Sequence, residues 1–417
     1  MIETLLNYGE EAKASQLSMG MFYKDTPGKM DVANPVAADD AANKGLKVRY
    51  DFTKESHIVD MMGPIHSDIF FQDRLMLNGV NLRIKLNRAK NSFCLMSSAA
   101  APTFKVVITE AISFVRRVKL ASSIILGHAA ALKHTSAKYP VRRIDCKVLS
   151  FPRGFSSFNP DNIFLGHIPK RIVLVLGDTQ AYNGTYSTNP FNFKHHNLTQ
   201  VGVHVDGEEI PRKPLFLNFD EAGGQNVIAD YQSLFSGTGK LSHDAGNQIS
   251  RSDYGSGYTA FCFDLSPDHC SGDHFELIKQ GNLRAELHFK EPLANTVNLI
   301  VYAEFQNVIE IDENRNVLFD YKLKMDTTQL TLILRKDKFT RGVFQGVYPS
   351  DLLPASVSHY PALFIANVDT SDKPGSHWVA FYFTKEQEGE FVDSCGSPPS
   401  KYQQIFRNIY YLFKQQF

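Results

Sequence analysis

The sequence contains no continuous apolar run of the eighteen or more residues that a membrane-spanning helix needs. Its N-terminus, MIETLLNYGEEAKASQ, also lacks the basic and apolar regions of a secretory signal. Neither sign of charge is in excess, because 44 basic residues balance 44 acidic ones. No net electrostatic field therefore favours a nucleic-acid or membrane-surface partner. From the missing apolar run and signal, we expect a protein that is neither secreted nor inserted in a membrane.

Cysteine is scarce, and the five cysteines are Cys94, Cys146, Cys262, Cys270 and Cys395. Their odd number and wide spacing predict free thiols rather than a disulfide framework. Cys270 lies close to His269 and His274 in sequence, but no CxxC or HxxxH spacing accompanies them. We therefore predict neither a metal site nor a cofactor.

The chain has 417 residues, of which 43% are hydrophobic and 21% charged, and this length and composition predict two or three domains. Much of it alternates apolar and polar residues with the period of a β-strand. NLRIKLNR places Leu82, Ile84 and Leu86 on one face, directly after an Asn78-Gly79 turn. The pattern predicts a hairpin strand with one exposed face.

A second hairpin is predicted by VGVHVDGEEI, in which Asp206-Gly207 supplies residues that tolerate a positive φ. The segments NLRAELHF and TVNLIVYAEF predict two long adjacent strands. Helices are expected only in short segments, namely residues 122–137, the stretch ADYQSLFSGTG and the final residues KYQQIFRNIYYLFKQQF. Many short strands separated by glycine, proline and asparagine favour a mainly β protein, an all-β sandwich of the jelly-roll kind.

Isolated polar residues in this β region are weak candidates for a site. They are His195, His196, Asp264, Asp268 and Glu304. The two histidines follow Lys194 without a carboxylate motif beside them, so we expect a solvated or interface role. Carboxylates at strand ends and turns usually act as caps and turn residues, and we predict this role for the three acids.

A series of motifs occurs in one order through residues 1–320. The motifs are IETLLNY, FYKDTPGKMD, NSFCLM, FKVVITEAISFVRRVKL, AKYPVRRIDCK, DNIFLGHIPKR, NPFNFKHHN, VDGEEIPRKPL, LFSGTG, ISRSDYGSGY, FDLSPD and TVNLIVYAEFQNVIEID. Because of these motifs, residues 1–320 resemble the major capsid proteins of Maverick/Polinton elements and their adintovirus relatives. The resemblance implies a double jelly roll and a structural, hexon-like capsid function.

The same resemblance implies an incomplete first roll over residues 1–142, because the relatives begin with strands ahead of IETLLNY. Residues 143–320 are predicted to form a complete eight-stranded sandwich, the second roll, because CKVLSF, RIVLVL, VGVHV and AELHF supply its strands. Expected partners are further copies of the chain, in a trimer-like capsomer, and other capsid proteins, with no specific nucleic-acid contact. The expected location is a virion-like particle, or the cytoplasm or nucleus of a cell.

A second resemblance begins at Met325, after a junction at residues 321–324. Its motifs are MDTTQLTLILRKDKFTRGVFQGVYPSDLLP, YPALFIANVDTSDKPGSHWVAFYF and GEFVDSCGSPP. They are similar to the beginning of the adenain-like (adenovirus-type) cysteine protease, which implies a small α+β fragment over residues 325–417. The resemblance makes His377 the catalytic histidine and Asp393 the acid that orients it, with a turn returning the second strand beside the first.

The nucleophile is missing from this pattern. The adenain-like proteases carry their oxyanion glutamine and catalytic cysteine well downstream of the acid, whereas the last cysteine here is Cys395, two residues after Asp393. The resemblance therefore implies a truncated and inactive protease fragment. Three functions stay open: a capsid protein, a cysteine endopeptidase, and a non-functional or domesticated transposon-derived host protein. A gene model that joined two neighbouring genes also stays open.

Overall fold

The computed structural model describes residues 1–38, 40–220, 222, 224–266, 279–319, 330–331, 334–335, 340–354, 359–368, 370, 378–385 and 388–393. The chain divides into two compact units, Met1–Asp320 and Tyr321–Phe417. Among the described residues, no helix combines the length and the apolar character that crossing a bilayer requires.

The first unit begins with helices and irregular chain. The helices are α1 (Ile2–Asn7), α2 (Glu10–Ala14), α3 (Lys44–Thr53), α4 (Asn91–Cys94) and α5 (Ser122–Leu132), with 3₁₀ turns at Gln16–Gly20, Lys54–Ser56 and Asp68–Phe70. Helix α5 confirms the helix predicted from residue 122. No described residue ahead of Ala137 belongs to a strand, so the described part of residues 1–136 has no sheet of its own. The incomplete first roll stays a prediction.

The hairpin strand predicted over Leu82–Leu86 is wrong. These residues lie in irregular chain, and Leu86 is 81% exposed. A two-residue type I′ turn needs a positive φ at both central residues. Gly79 has a φ of 87°, but Asn78 is not among the residues with positive φ, so the dipeptide does not form the turn that pairs two strands.

The rest of the first unit is a sandwich of antiparallel strands. The strands are β1 (Ala137–Phe151), β2 (Ser157–Phe158), β3 (Phe164–His167), β4 (Arg171–Asp178), β5 (Leu198–Val205), β6 (Glu208–Phe216), β7 (Phe261–Asp264), β8 (Gln280–Phe289), β9 (Val297–Ile311) and β10 (Val317–Phe319). The helices between them are α6 (Thr179–Asn183), α7 (Ile228–Ser236) and α8 (Arg251–Tyr254). Strands predicted in CKVLSF, RIVLVL, VGVHV and AELHF are confirmed, as is the helix in ADYQSLFSGTG.

The strand order identifies the sandwich as a jelly roll. One sheet has the order β1-β9-β4-β7, with β10 also on β9, and the other has β2-β8-β5-β6, with β3 also on β8. The pairs β1·β9, β2 and β3·β8, β4·β7 and β5·β6 are nested like the two arms of one long hairpin. The additional pairs β4·β9 and β5·β8 roll that hairpin into two facing sheets, which is the jelly-roll arrangement.

Strands β8 and β9 are long, as predicted, but they are not adjacent. Each lies in a different sheet, because the chain crosses from one layer to the other between Phe289 and Val297. Leu287 of β8 and Leu299 of β9 are both fully buried in the core between the sheets. Apolar–polar alternation in two consecutive strands is compatible with one shared sheet and also with two facing sheets, because in both cases each strand needs a cover on only one face.

Strand β4 carries a continuous apolar run because both of its faces are covered. Leu174 belongs to the core between the two sheets. Val173 and Val175 lie in a second core on the outer face, with Leu5 and Leu6 of α1. A strand buried on both faces does not need the alternation that marks a half-exposed strand.

The turn between β5 and β6 confirms the second predicted hairpin. Asp206 has a φ of 54° and Gly207 a φ of 89°, so both central residues are left-handed. Val205 pairs with Glu208 across the turn. This is the geometry that matches the twist of two antiparallel strands.

The second unit contains a four-stranded sheet. Its strands are β11 (Phe344–Tyr348), β12 (Ala362–Asn367), β13 (Trp378–Lys385) and β14 (Glu388–Asp393), in sequential order. β11 is parallel to β12, and the other pairs are antiparallel. Alternate residues of β12 and β13 form its core, including Phe364 and Phe381. The helix predicted at the C-terminus lies outside the described residues.

Candidate functional site

The predicted catalytic acid lies at the end of the β13–β14 hairpin. Asp393 is the last residue of β14, and its backbone pairs with Val379 of β13. The hairpin itself, with Trp378 at the start of β13, confirms the predicted pairing of the two strands. His377 and Cys395 lie outside the described residues, so the contact between His377 and Asp393 stays a prediction.

Glu304 belongs to a buried ion pair and not to a turn, so the turn role predicted for it is wrong. Its Oε1 lies 2.5 Å from Nη2 of Arg171, on the neighbouring strand β4. Nη1 of Arg171 also donates to the backbone carbonyl of Gly237 at 2.8 Å. A buried carboxylate needs such a partner, and this one comes from a residue far away in sequence.

A second arginine extends this ion pair to the surface. Arg142 donates to both carboxylate oxygens of Asp68, at 2.8 and 2.9 Å, and its Nη1 lies 3.8 Å from Glu304 Oε2. The hydrogen bond to Asp68 raises the pKa of the Arg142 guanidinium above its ordinary value. The hydroxyl of Tyr302 donates to Glu3 of α1. These contacts attach the N-terminal region to the sandwich.

Asp264 confirms its predicted turn role, because its Oδ1 accepts hydrogen bonds from both the backbone N–H and the hydroxyl of Ser266, at 3.0 and 2.5 Å. Asp268, and the group of Cys270, His269 and His274, lie outside the described residues. Within the described part of the chain, no three His, Cys, Asp or Glu side chains are grouped to hold a metal ion.

A cleft of about 550 Å³ adjoins the two neighbouring histidines. We call it the histidine cleft, and it is lined by Gly28, Lys29, Asp31, Val32, Asn192, Lys194, His195, His196, Asn197, Gly255, Ser256 and Gly257. Nζ of Lys194 lies 2.8 Å from Asp178 Oδ2 and 2.9 Å from Asp31 Oδ2. One cation thus joins the N-terminal region to the end of β4.

Both histidines are half-buried where they line the cleft, and the solvated or interface role predicted for them stays a prediction. The ring of His195 stacks on Phe219 with centroids 4.0 Å apart, and burial lowers its pKa to about 4. Burial also lowers the pKa of His196, although its Nε2 is 3.9 Å from Asp178. Both imidazoles are therefore neutral at pH 7. Among the described residues, no hydroxyl or thiol is hydrogen-bonded to either ring, so the cleft lacks an activated nucleophile.

Two of the described thiols, those of Cys146 and Cys262, are poorly suited to catalysis. Cys94 and Cys146 are exposed and Cys262 is buried, and all three are free. Burial raises the pKa of Cys262 to about 12, and it also raises that of Cys146. A thiol with a raised pKa is protonated at neutral pH and is a poor nucleophile.

The largest unusual surface is apolar. We call residues 58–126 the exposed segment. Its exposed large apolar residues are Ile58, Met61, Met62, Phe70, Phe71, Leu75, Leu82, Ile84, Leu86, Phe104, Val107, Ile108, Ile112, Phe114, Val115, Val118, Leu120, Ile124, Ile125 and Leu126. Large exposed apolar patches on a protein often mark sites of interaction, so these side chains are candidates for a contact surface.

The neighbouring strand β1 forms an edge of its sheet. Near its start the edge is covered: Asp68 accepts from the backbone N–H of Arg142, Arg74 donates to the carbonyl of Lys138, and Pro140 has no N–H. Further along, at Ile144, Cys146 and Val148, none of the described residues hydrogen-bonds to the outward backbone groups. An open edge of this kind is a template for pairing with another strand.

Comparisons with known proteins do not establish a family for this chain. No family model matches the chain. It is 29% identical over 329 residues to the uncharacterized protein F54H12.2 of Caenorhabditis elegans, an alignment that covers 76% of this chain and 73% of that protein.

Solved structures similar to the chain belong to viral capsids. A Sputnik virophage structure solved by cryo-EM has a TM-score of 0.29 and 14% identity, over 45% of this chain and 39% of its own. PBCV-1 VP54, fitted into a reconstruction of Sputnik, has a TM-score of 0.31 and 9% identity, over 49% and 55%. The mavirus major capsid protein has a TM-score of 0.24 and 11% identity, over 45% and 41%. The chain thus spans less than two thirds of each, and at these scores the jelly-roll assignment depends on the strand order alone.

Proposed function

We propose that this chain is a structural capsid-type protein that acts by self-association. The observation that carries the proposal is the jelly-roll strand order of the first unit, β1-β9-β4-β7 facing β2-β8-β5-β6. The motifs shared with Maverick/Polinton capsid proteins lie in the same unit. The proposed assembly is a trimer-like, hexon-like capsomer of a virus-like transposable element.

Surface features of the first unit support association between chains. A jelly roll buries its apolar residues between two sheets and leaves sheet edges and loops available for contacts. Here the edge of β1 is open in part, and the exposed segment presents apolar side chains that the described residues do not cover.

The test is the assembly state of the purified full-length chain. Light scattering coupled to size-exclusion chromatography should give trimers or larger species of defined size, and negative-stain electron microscopy should show regular particles. Reversal on dilution separates assembly from aggregation. A chain that stays monomeric at high concentration would contradict the proposal.

A second candidate function, an adenain-like cysteine endopeptidase, is favoured by the β13–β14 hairpin. The pairing of Asp393 with Val379 places the predicted acid beside the strand that follows His377 in sequence. Within residues 325–417 the one cysteine in the sequence is Cys395, two residues after Asp393, and we propose that this segment by itself is inactive. Loss of a triad nucleophile lowers the rate by a factor on the order of 10⁶.

The full-length chain should therefore hydrolyse no fluorogenic peptide substrate, and Cys395→Ala should behave identically. Turnover that disappears in Cys395→Ala would overturn the inactive assignment. A non-functional or domesticated transposon-derived protein is the third candidate. Sequencing a transcript across residues 315–330 tests whether one message encodes both units; two separate messages would show a joined gene model.

A further inference from the structure

One part of the exposed segment alternates like a strand although it forms none. Over residues 104–120, the even positions are apolar except for two charges of opposite sign. They are Phe104, Val106, Ile108, Glu110, Ile112, Phe114, Arg116, Val118 and Leu120. The odd positions carry most of the polar residues. A period of two with β-branched and aromatic residues is the pattern of a half-buried β-strand.

The structure leaves this strand pattern without a partner. Residues 102–121 form no helix, strand, turn or bend. The chain is held at one end only, where Asn91 Oδ1 accepts from the N–H of Val106 and Arg88 donates to its carbonyl. From residue 107 to 120, no described residue hydrogen-bonds to the backbone. Phe114, at the middle, is 79% exposed.

We propose that residues 104–120 of two copies of this chain pair as antiparallel β-strands about a two-fold axis at Ser113. This inference deepens the proposed function, on which it depends, by naming a two-fold contact between chains that is additional to the contacts within a trimer-like capsomer. Such a contact is isologous, because the same segment contributes both sides. It pairs backbone groups and covers apolar side chains that a single chain leaves exposed.

The two oppositely charged residues select the register. With the axis at Ser113, Glu110 lies opposite Arg116 of the other copy, and symmetry repeats this pair. The other even positions, apart from Phe104 at the end of the segment, then match apolar with apolar. Their pairs are Ile112 with Phe114, Ile108 with Val118, and Val106 with Leu120. Opposite charges and apolar side chains directly across a ladder both stabilise it.

Neighbouring registers do not have this property. If the partner strand slides by two residues in one direction, the axis moves to residue 112. Glu110 then lies opposite Phe114, and Ile108 lies opposite Arg116. Moving the axis the other way, to 114, places Glu110 opposite Val118 and Arg116 opposite Ile112. An axis between two residues sets even positions opposite odd ones, which mixes the apolar and polar faces. The sequence is therefore self-complementary in a single register.

A two-stranded ribbon needs its apolar face covered, because an isolated pair of strands is marginally stable in water. The chain supplies apolar side chains for this cover immediately after the segment. Ile124, Ile125 and Leu126 of α5 are exposed and follow Leu120 within a few residues. The proposed contact between the two copies thus includes residues 104–120 and the first turn of α5.

Exchange of the two charges tests the register. In the full-length chain, Glu110→Arg alone or Arg116→Glu alone sets like charges opposite each other twice per dimer. Each single variant should weaken dimerisation roughly 10-fold or more, measured by analytical ultracentrifugation. The double variant should restore it, because the pairs are re-formed with their signs exchanged. Failure of the double variant to recover would overturn the register.

Disulfide trapping tests the axis directly. In a background in which Cys94, Cys146, Cys270 and Cys395 are each changed to serine, Ser113→Cys should form a covalent dimer on mild oxidation. Thr109→Cys is the matched control, because the two copies of residue 109 would lie about 27 Å apart along the ribbon. Equal cross-linking of both variants, or none for Ser113→Cys, would contradict the proposal.

The two proposals fail in different ways. If the single charge variants and the unmodified chain assemble equally, residues 104–120 are not the contact between the two copies, while the capsid-type function stands. If the unmodified chain is monomeric, both proposals fall. Thermal unfolding followed by circular dichroism checks that the sandwich stays folded in the variants. We expect it to stay folded, because the changed residues are exposed.

Discussion

The sandwich of residues 137–319 and the exposed segment of residues 58–126 contain the same kind of sequence and reach different structures. Both have alternating runs rich in Val, Ile and Phe. In the sandwich, every such run pairs with another strand, and its apolar face enters a core. In the exposed segment, the runs remain irregular and exposed among the described residues. Alternation therefore predicts a capacity to form a strand, which is realised only where a partner strand is present.

The two predicted hairpins show the same difference at the scale of a turn. Asp206-Gly207 has both residues left-handed and joins β5 to β6. In Asn78-Gly79 only the glycine is left-handed, and no strand follows it. An Asp-Gly or Asn-Gly dipeptide is able to adopt the left-handed turn, but it does so only where the flanking segments pair as strands.

The largest effect is expected where the sandwich holds the N-terminal region. Glu304→Gln removes the charge that pairs with buried Arg171, and should lower the free energy of unfolding by about 3 to 5 kcal/mol, because an uncompensated charge stays buried. Urea unfolding measures this. Asp145→Asn, which removes an ion pair with Arg143 near the surface, is the control and should change stability by less than about 1 kcal/mol.

A double replacement sharpens this prediction. Changing both Arg171 and Glu304 to methionine removes the buried charges together, and should cost less than Glu304→Gln alone. A double variant as unstable as the single one would mean that packing or the Arg171–Gly237 hydrogen bond, and not charge, dominates at this position.

Leucine truncation compares the two regions directly. Leu174 of β4 is fully buried, and Leu174→Ala should cost about 3 kcal/mol, from lost transfer free energy and a cavity. Leu86→Ala in the exposed segment should change the same urea midpoint by less than about 0.5 kcal/mol. A large cost at Leu86 in the monomer would show that the exposed segment packs on the sandwich.

Asp230 should make stability depend on pH. Burial raises its pKa to about 8, and the Tyr254 hydroxyl donates to its Oδ2. Between about pH 4 and 8 the unfolded chain has lost this proton while the folded chain keeps it, so stability falls as pH rises. The expected loss from pH 5 to 7 is roughly 2 to 3 kcal/mol.

Asp230→Asn should remove that loss. His195, whose pKa is lowered to about 4, acts in the opposite direction between about pH 4 and 6.5 and is present in both proteins. The difference between the two unfolding curves therefore isolates Asp230. Parallel pH profiles of the two proteins would contradict a protonated Asp230.

The smallest effect concerns two glycines with opposite expected signs. Gly207→Ala places a Cβ at a φ of 89° in the β5–β6 turn and should cost about 1 kcal/mol. Gly127 lies within α5 with open space around its Cα, so Gly127→Ala should stabilise the helix by up to about 1 kcal/mol. Thermal unfolding distinguishes them. The same sign for both would mean that the turn does not require a left-handed residue.

Much of the sandwich was predictable from local pattern, and its chemistry was not. The strands in RIVLVL, VGVHV and AELHF follow from apolar runs and alternation, and the β5–β6 turn follows from two residues that tolerate a positive φ. The partners of Glu304 and Lys194 were missed, because Arg171 and Asp31 are distant in sequence and no spacing announces them. For the same reason, burial of His195 against Phe219 was not foreseen.

The sequence by itself determined which segments of this protein are able to form strands, and the left-handed turn at Asp206-Gly207, because both depend on a residue and its near neighbours. Only the tertiary structure decided that β8 and β9 lie in opposite sheets, that β4 is covered on both faces, and that residues 104–120 are left without a partner. These outcomes depend on which strands meet across the fold. Such meetings follow from the burial of apolar surface summed over the whole chain, which no local pattern contains.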